Sequence, residues 1–132
     1  MLMDGDKILM SKRANSGYFD GFYSLCAGHV EENESVFDCM IREAKEEINI
    51  VVKAKDLKAV KVVHRETHKG KTYIDFFFTC TKWEGEIKIN EPEKCSELLW
   101  VDINKLPTDT IPSLRKVLSN AFDDNLVIYI EE

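Results

Sequence analysis

Three glutamates stand at positions 43, 46 and 47, the i, i+3, i+4 spacing that brings side chains onto one face of an α-helix. At about 100° per residue, their arc adjoins a second one formed by Phe37, Met40, Ile41, Ala44 and Ile48, an apolar stripe suited to lie on a core. Like charges so spaced repel by about 0.2–0.5 kcal/mol per pair. Either solvent screens that repulsion, as on any acidic surface, or a bound cation relieves it. An oxygen-only donor set suits a hard ion, Mg²⁺ or Mn²⁺, which keeps some of its water and takes phosphate oxygens as further ligands. The charges alone favour neither reading.

A longer pattern decides between them. Residues 28–50 read GHVEENESVFDCMIREAKEEINI. Gly28, Glu34, Arg42, Glu43, Glu46 and Glu47 fall in a spacing that resembles the Nudix box, G-x5-E-x7-R-E-U-x-E-E-x-G-U, where U is aliphatic. A chance match of six such positions is on the order of one window in ten million at ordinary residue frequencies. Two positions depart from the pattern. Asn49 replaces the final Gly, and Asn is the next best residue for the left-handed turn that ends a helix. Ala44 is smaller than the usual aliphatic residue but keeps its place in the stripe. Weaker similarity runs from Lys7 to about Leu118.

The resemblance implies a metal-dependent hydrolase that cleaves a diphosphate linkage, by water attack on phosphorus, in a nucleoside triphosphate or another nucleoside-diphosphate-X compound. The alternatives it leaves open are an ADP-ribose or nucleotide-sugar pyrophosphatase, and a nucleotide-binding module without catalysis. Modules of the last kind usually lose box glutamates, and all four are present here. By resemblance, Glu43, Glu46 and Glu47 are ligands of Mg²⁺ or Mn²⁺, with the carbonyl of Ala27 as an additional candidate. Arg42 and Glu34 orient those carboxylates, Arg42 through charge-assisted hydrogen bonds.

The family also uses a general base, drawn from the box or from a later loop. Here NEPEKCSELLW offers Glu91, Glu93 and Glu97, of which Glu97 is favoured, although all three read equally as solvated loop charges. Arg13, Gly28, Trp100, Asp109 and Thr110 fall where relatives meet phosphate or base, and Tyr18, Phe19, Phe22 and Tyr23 add aromatic surfaces. His29 is given no role. His64 and His68 flank a turn with no Cys or third His nearby, and read as ordinary strand and loop residues.

The elements that must position these residues are legible as periodicity. Strands are expected at residues 7–10, 23–27, 57–65, 72–83, 98–101 and 126–130, with a turn-rich loop at 14–23 and ETHKGK closing a hairpin. Helices are expected at 34–48 and at 111–122, the latter from Leu114, Val117, Leu118 and Ala121. The mixture predicts an α/β (α+β) fold, and the resemblance makes it an α/β/α sandwich with a mixed sheet flanked by helices. Nudix domains usually have a longer first strand ahead of the position of Lys7, so the resemblance implies a start part-way through the fold.

The 132 residues, 44% of them apolar, suffice for one domain spanning residues 1–132 and are too few for two. No apolar run approaches the ~20 residues of a membrane span. The opening MLMDGDKILMSKR lacks the long apolar stretch of a signal peptide, so a cytoplasmic protein is expected. Four cysteines without a C-x-x-C pair read as reduced thiols. The net charge of −6 argues against nucleic acid or an anionic membrane as partner. The expected partner is a small nucleotide, and the expected assembly a monomer or homodimer. With that charge, an anionic substrate needs a cation between itself and the protein.

Overall fold

The computed structural model describes residues 1–132. Seven strands and two helices follow one another as β1 (Met3–Asp4), β2 (Lys7–Arg13), β3 (Tyr23–Ser24), α1 (Val36–Ile48), β4 (Lys58–Glu66), β5 (Thr72–Thr79), β6 (Cys95–Asp102), α2 (Pro112–Ser119) and β7 (Val127–Glu131). They form two sheets. In the first, β6 pairs along one edge of β2, and β1 and β3 share the other edge, all antiparallel. In the second, β4 pairs antiparallel with β5 and parallel with β7. The expected mixed sheet is this second one, and a bridge from Leu2 to Cys80 links it to the first.

Side-chain alternation along β2 and β6 sets the layers. Ile8, Met10 and Val101 face α2, where Leu114 and Leu118 cover them. Leu9 and its cross-strand partner Trp100 face the opposite way, toward Ala44 and Ile48 of α1. Val117 of α2 packs on Val63 and Ile130 of the second sheet. The two helices thus flank the sheets from opposite sides. No helix is long and apolar enough to cross a membrane.

Helix α1 owes its ends to two residues. The Ser35 hydroxyl accepts the Asp38 amide at 3.0 Å, an N-cap that starts the helix after Glu34 rather than at it. At the other end Asn49 takes φ 65°, ψ 24°, and its N–H turns back to the carbonyls of Ala44 and Lys45. This is the left-handed stop that the sequence asks of Asn49 in place of glycine. The apolar stripe is narrower than expected. Ala44 and Ile48 are buried, but Phe37, in the first turn, remains 39% exposed with its ring 5.1 Å from that of Phe78.

Other boundaries moved for local reasons. Strand β5 ends at Thr79, short of residue 83, and Trp83 packs from a loop against Trp100. Strand β6 begins at Cys95, because β2 continues to Arg13 and offers it partners. Helix α2 stops at Ser119 rather than 122. The loop after it is drawn to β4 by the fully buried Lys61, whose ammonium donates to Asp123 at 2.6 Å and to the Asn125 carbonyl.

Candidate active site

The polar face of α1 is organised by Arg42. Its Nε and Nη2 donate to the two oxygens of Glu34 at 2.8 and 2.9 Å, a bidentate pair. Its Nη1 donates to Glu43 at 2.7 Å and to Glu46 at 3.3 Å, and Nη2 also reaches the His29 carbonyl at 3.1 Å. The hydrogen bonds from Arg42, helped by the Glu31 amide, bring the Glu34 carboxyl down to about 2. The same carboxylates hold the Arg42 guanidinium even more firmly protonated than usual.

The segment after β3 lies along this helix. The Ala27 amide donates to Glu47 Oε2 at 3.3 Å, and the Cys39 thiol reaches the Gly28 carbonyl at 3.8 Å. The Ala27 carbonyl takes no part in the protein's hydrogen bonds. Gly28 permits the approach: a β-carbon there would meet the Glu43 carboxyl at 2.0 Å. Burial, together with the Glu43 carboxylate beside it, pushes the Glu47 carboxyl well above the usual range. Glu46, by contrast, is half exposed. The cysteines are all unpaired, and burial and the Glu47 carboxylate raise the Cys26 thiol far above its ordinary value.

These residues therefore gather as one cluster of Gly28, Glu34, Arg42, Glu43, Glu46 and Glu47. No three His, Cys, Asp or Glu side chains converge with metal-ligand geometry, and Glu43 and Glu46 each accept from Arg42.

The remaining sequence candidates lie elsewhere. Glu97 belongs to β6, not to a loop, and accepts the Tyr23 hydroxyl at 2.9 Å. Trp100 stacks on Trp83 with ring centroids 6.2 Å apart, on the α1 side of the first sheet. Thr110 is buried beside α2, its hydroxyl donating to the Pro107 carbonyl at 2.8 Å, and the Asp109 carbonyl accepts the Tyr23 amide. Trp100 cannot meet them, since consecutive residues of a strand face opposite sides and its neighbour Val101 is the one on the α2 side. Arg13 spans its own loop, donating to the Tyr18 carbonyl at 2.8 Å.

What adjoins the cluster instead is a groove of about 400 Å³ that borders β5 and runs between the segment after β3 and the start of α2. Arg13, Trp100, Asp109 and Thr110 are absent from its walls, while Gly28, Glu43, Arg65, Tyr73, Asp75 and Phe77 line it. The Arg65 guanidinium lies 4.6 Å from the Tyr73 ring centre and donates to Asp75 at 2.6 and 3.3 Å. It also reaches Glu132, which accepts from Tyr18 and Ser113 as well. Burial and Glu132 raise the Tyr18 phenol to about 12. Sequence reasoning took this hairpin as scaffold only. The available signal was Asp75, a lone charge in the otherwise uncharged strand TYIDFFFT, directly across from Val63 and two residues from the partner of Arg65.

A family model described as the NUDIX domain matches residues 1–121. The ADP-ribose pyrophosphatase of Methanocaldococcus jannaschii is 34% identical over 102 residues, which are 77% of this chain and 58% of that protein. The NAD-capped RNA hydrolase NudC of Pseudomonas putida is 27% identical over 119 residues, 90% of this chain and 40% of that protein. The chain thus spans about half the length of these relatives. Among solved structures, the MutT NUDIX hydrolase of Burkholderia pseudomallei superposes with a TM-score of 0.80 at 24% identity, covering 89% of this chain and 90% of that one, and so shares the fold.

Proposed function

The chain belongs to the Nudix family, and from that premise we propose that it hydrolyses the diphosphate linkage of a nucleoside-diphosphate-X compound. One observation carries the proposal: Glu43 belongs both to the Arg42 cluster and to the wall of the groove. A ligand lying in the groove therefore ends against the box carboxylates. Relatives named for ADP-ribose and NAD-capped RNA favour a nucleoside diphosphate with a further group attached over a plain triphosphate.

Glu43, Glu46 and Glu47, with the Ala27 carbonyl, would hold a divalent cation, Mg²⁺ or Mn²⁺. The donors fit such an ion. They are all oxygens, and Glu43 stands beside the buried Glu47 carboxyl, two like charges that a cation would hold together. When bound, such an ion offsets charge on the phosphoryl oxygens and acidifies water. The protein's own residues do the rest. Arg42, anchored on Glu34, fixes where Glu43 and Glu46 point. The proton from the attacking water goes to a box carboxylate rather than to Glu97, which is engaged by Tyr23 and stands outside the groove. Tyr73, Arg65, Asp75 and Phe77 supply flat, apolar and polar surfaces to one half of the substrate.

The test is a panel of ADP-ribose, nucleotide sugars, dinucleotides and nucleoside triphosphates with Mg²⁺, read by chromatography of the products. Release of a nucleoside monophosphate from a diphosphate-X compound supports the assignment. Turnover of triphosphates alone would shift it to the other branch of the family reading, and no turnover with any divalent ion would leave a binding module.

A further inference from the structure

Contacts lead along the groove away from Gly28. His29 packs on Tyr73, Tyr73 on Arg65, and Arg65 on Glu132. Glu132 follows β7 directly, its N–H donating to the Glu66 carbonyl at 2.9 Å, and its side chain is only 10% exposed. Its Oε1 accepts the Tyr18 hydroxyl at 2.6 Å, the Ser113 hydroxyl at 3.2 Å and Arg65 Nη1 at 3.4 Å. Those donors come from the loop before β3, from α2 and from β4, and all three residues line the groove.

At this end the donors are committed and the acceptors are not. Tyr18 and Ser113 direct their hydroxyl hydrogens to Glu132. Each of the three Arg65 nitrogens donates to Asp75 or Glu132. Each Asp75 oxygen accepts one bond, about half of what a carboxylate oxygen can take, and Glu132 Oε2 takes none within the protein. One guanidinium faces two carboxylates, which leaves negative charge in excess. The other basic groups of the walls stand elsewhere. The Met1 amine donates to the Phe78 carbonyl at the opposite end of β5, and His29 lies beyond Tyr73.

We propose that this end of the groove selects a flat ring bearing an exocyclic amino or carboxamide group, and that Glu132 is the positioning residue that sets the choice. The inference rests on the groove reading above and names the group the groove takes. Tyr73 and Phe77 offer surfaces to a ring. The ring's N–H₂ meets the unfilled lone pairs of Asp75. Glu132 acts through Arg65: by sharing the guanidinium with Asp75, it keeps Arg65 from turning to an anionic ligand. An oxo group in place of the amine sets acceptor against acceptor, and a carboxylate in place of the carboxamide adds like-charge repulsion.

The test compares NAD⁺ with its nicotinic acid analogue, which carries a carboxylate for the carboxamide, and its hypoxanthine analogue, which carries an oxo group for the adenine amine. The changes lie at opposite ends of the dinucleotide, so whichever ring enters the groove is altered in one of them. Calorimetric affinities are taken with Ca²⁺ in place of Mg²⁺, and turnover is followed separately with Mg²⁺. The wild type should bind one analogue at least about tenfold more weakly than NAD⁺, and Glu132→Gln should narrow that gap to less than about threefold. A merely structural role would weaken all three ligands alike and leave the gap. Two analogues that bind the wild type as well as NAD⁺ does would overturn the proposal, as would a chain that binds none of the three, or a folded Glu132→Gln that keeps the gap. Should that variant fail to fold, Asp75→Asn replaces it under the same criterion. Turnover without discrimination sinks this inference and leaves the hydrolase reading standing, whereas discrimination without turnover does the reverse.

Discussion

A β-carbon on Gly28 would stand 2.0 Å from both Cδ and Oε1 of Glu43. The backbone of Gly28 needs no left-handed conformation, since it is missing from the positive-φ residues. Its lack of a side chain serves space alone. Helix and loop touch at this point, and the carboxylate that faces the groove lies between them.

Gly28→Ala should therefore displace Glu43 or lift the loop. A shift near 1 Å at a catalytic group costs about 10²-fold. We expect kcat to fall by about that factor while the circular dichroism spectrum stays unchanged. Near-wild-type kcat would show that Glu43 need not occupy this position.

Glu34 and Arg42 make a prediction about acid. The Glu34 carboxyl is lowered in the folded protein from 4.5 to about 2. A depressed value means the unfolded chain binds the proton more readily. The pair's stabilisation is therefore complete above about pH 4.5 and is lost as pH falls toward 2. Urea midpoints of wild type and Glu34→Gln should differ at pH 7 and draw together as the pH falls toward about 2. A gap that does not change with pH would deny the ion pair its part in stability.

Glu47 should act with the opposite sign. Its carboxyl is raised by burial and by Glu43, so the folded protein binds the proton more tightly than the unfolded chain. Without metal, stability should decline as pH rises above the ordinary carboxylate range. Glu47→Gln should remove that decline and melt higher than wild type at pH 8. Glu46→Gln gives up an exposed pairing with Arg42 worth about 0.3–0.5 kcal/mol and should be nearly neutral. Adding Mg²⁺ should raise the melting temperature of wild type more than that of either variant. Equal metal-free melting of Glu47→Gln and wild type at pH 8 would contradict the buried-carboxylate reading.

The groove predicts where specificity resides. Asp75→Asn and Arg65→Met should reorder the preferred substrates, with KM raised about tenfold, or ~1.4 kcal/mol, and kcat largely kept. Asp109→Ala, outside the groove, should leave the ranking unchanged. Steady-state kinetics on two substrates that differ only in the base distinguishes the two outcomes, and a ranking moved by Asp109→Ala alone would refute the groove assignment.

The box residues were legible because a helix turns neighbours in sequence into neighbours in space. Arg42, Glu43, Glu46 and Glu47 needed only the 3.6-residue period, and the Asn49 turn needed only backbone sterics. Specificity was not legible for the converse reason. Glu43 and Asp75 meet the same groove from separate elements, and sequence distance says nothing of that. Trp100 and Thr110 looked like neighbours ten residues apart, yet strand alternation puts them on opposite sides of a sheet. Glu97 was read as a loop charge because the extension of β2 to Arg13, which carries β6 back to Cys95, leaves no mark in the local pattern.

The most direct measurement is chromatographic product release from ADP-ribose with saturating Mg²⁺, comparing wild type with Glu47→Gln. Gln keeps the shape of the side chain and its helix propensity, so a folded variant isolates the charge. We expect the wild type to release a nucleoside monophosphate and Glu47→Gln to retain less than about 1% of that rate, as loss of a catalytic electrostatic group does. A folded Glu47→Gln protein that turns over near the wild-type rate would contradict the assignment of this helix as the metal-holding, diphosphate-cleaving element.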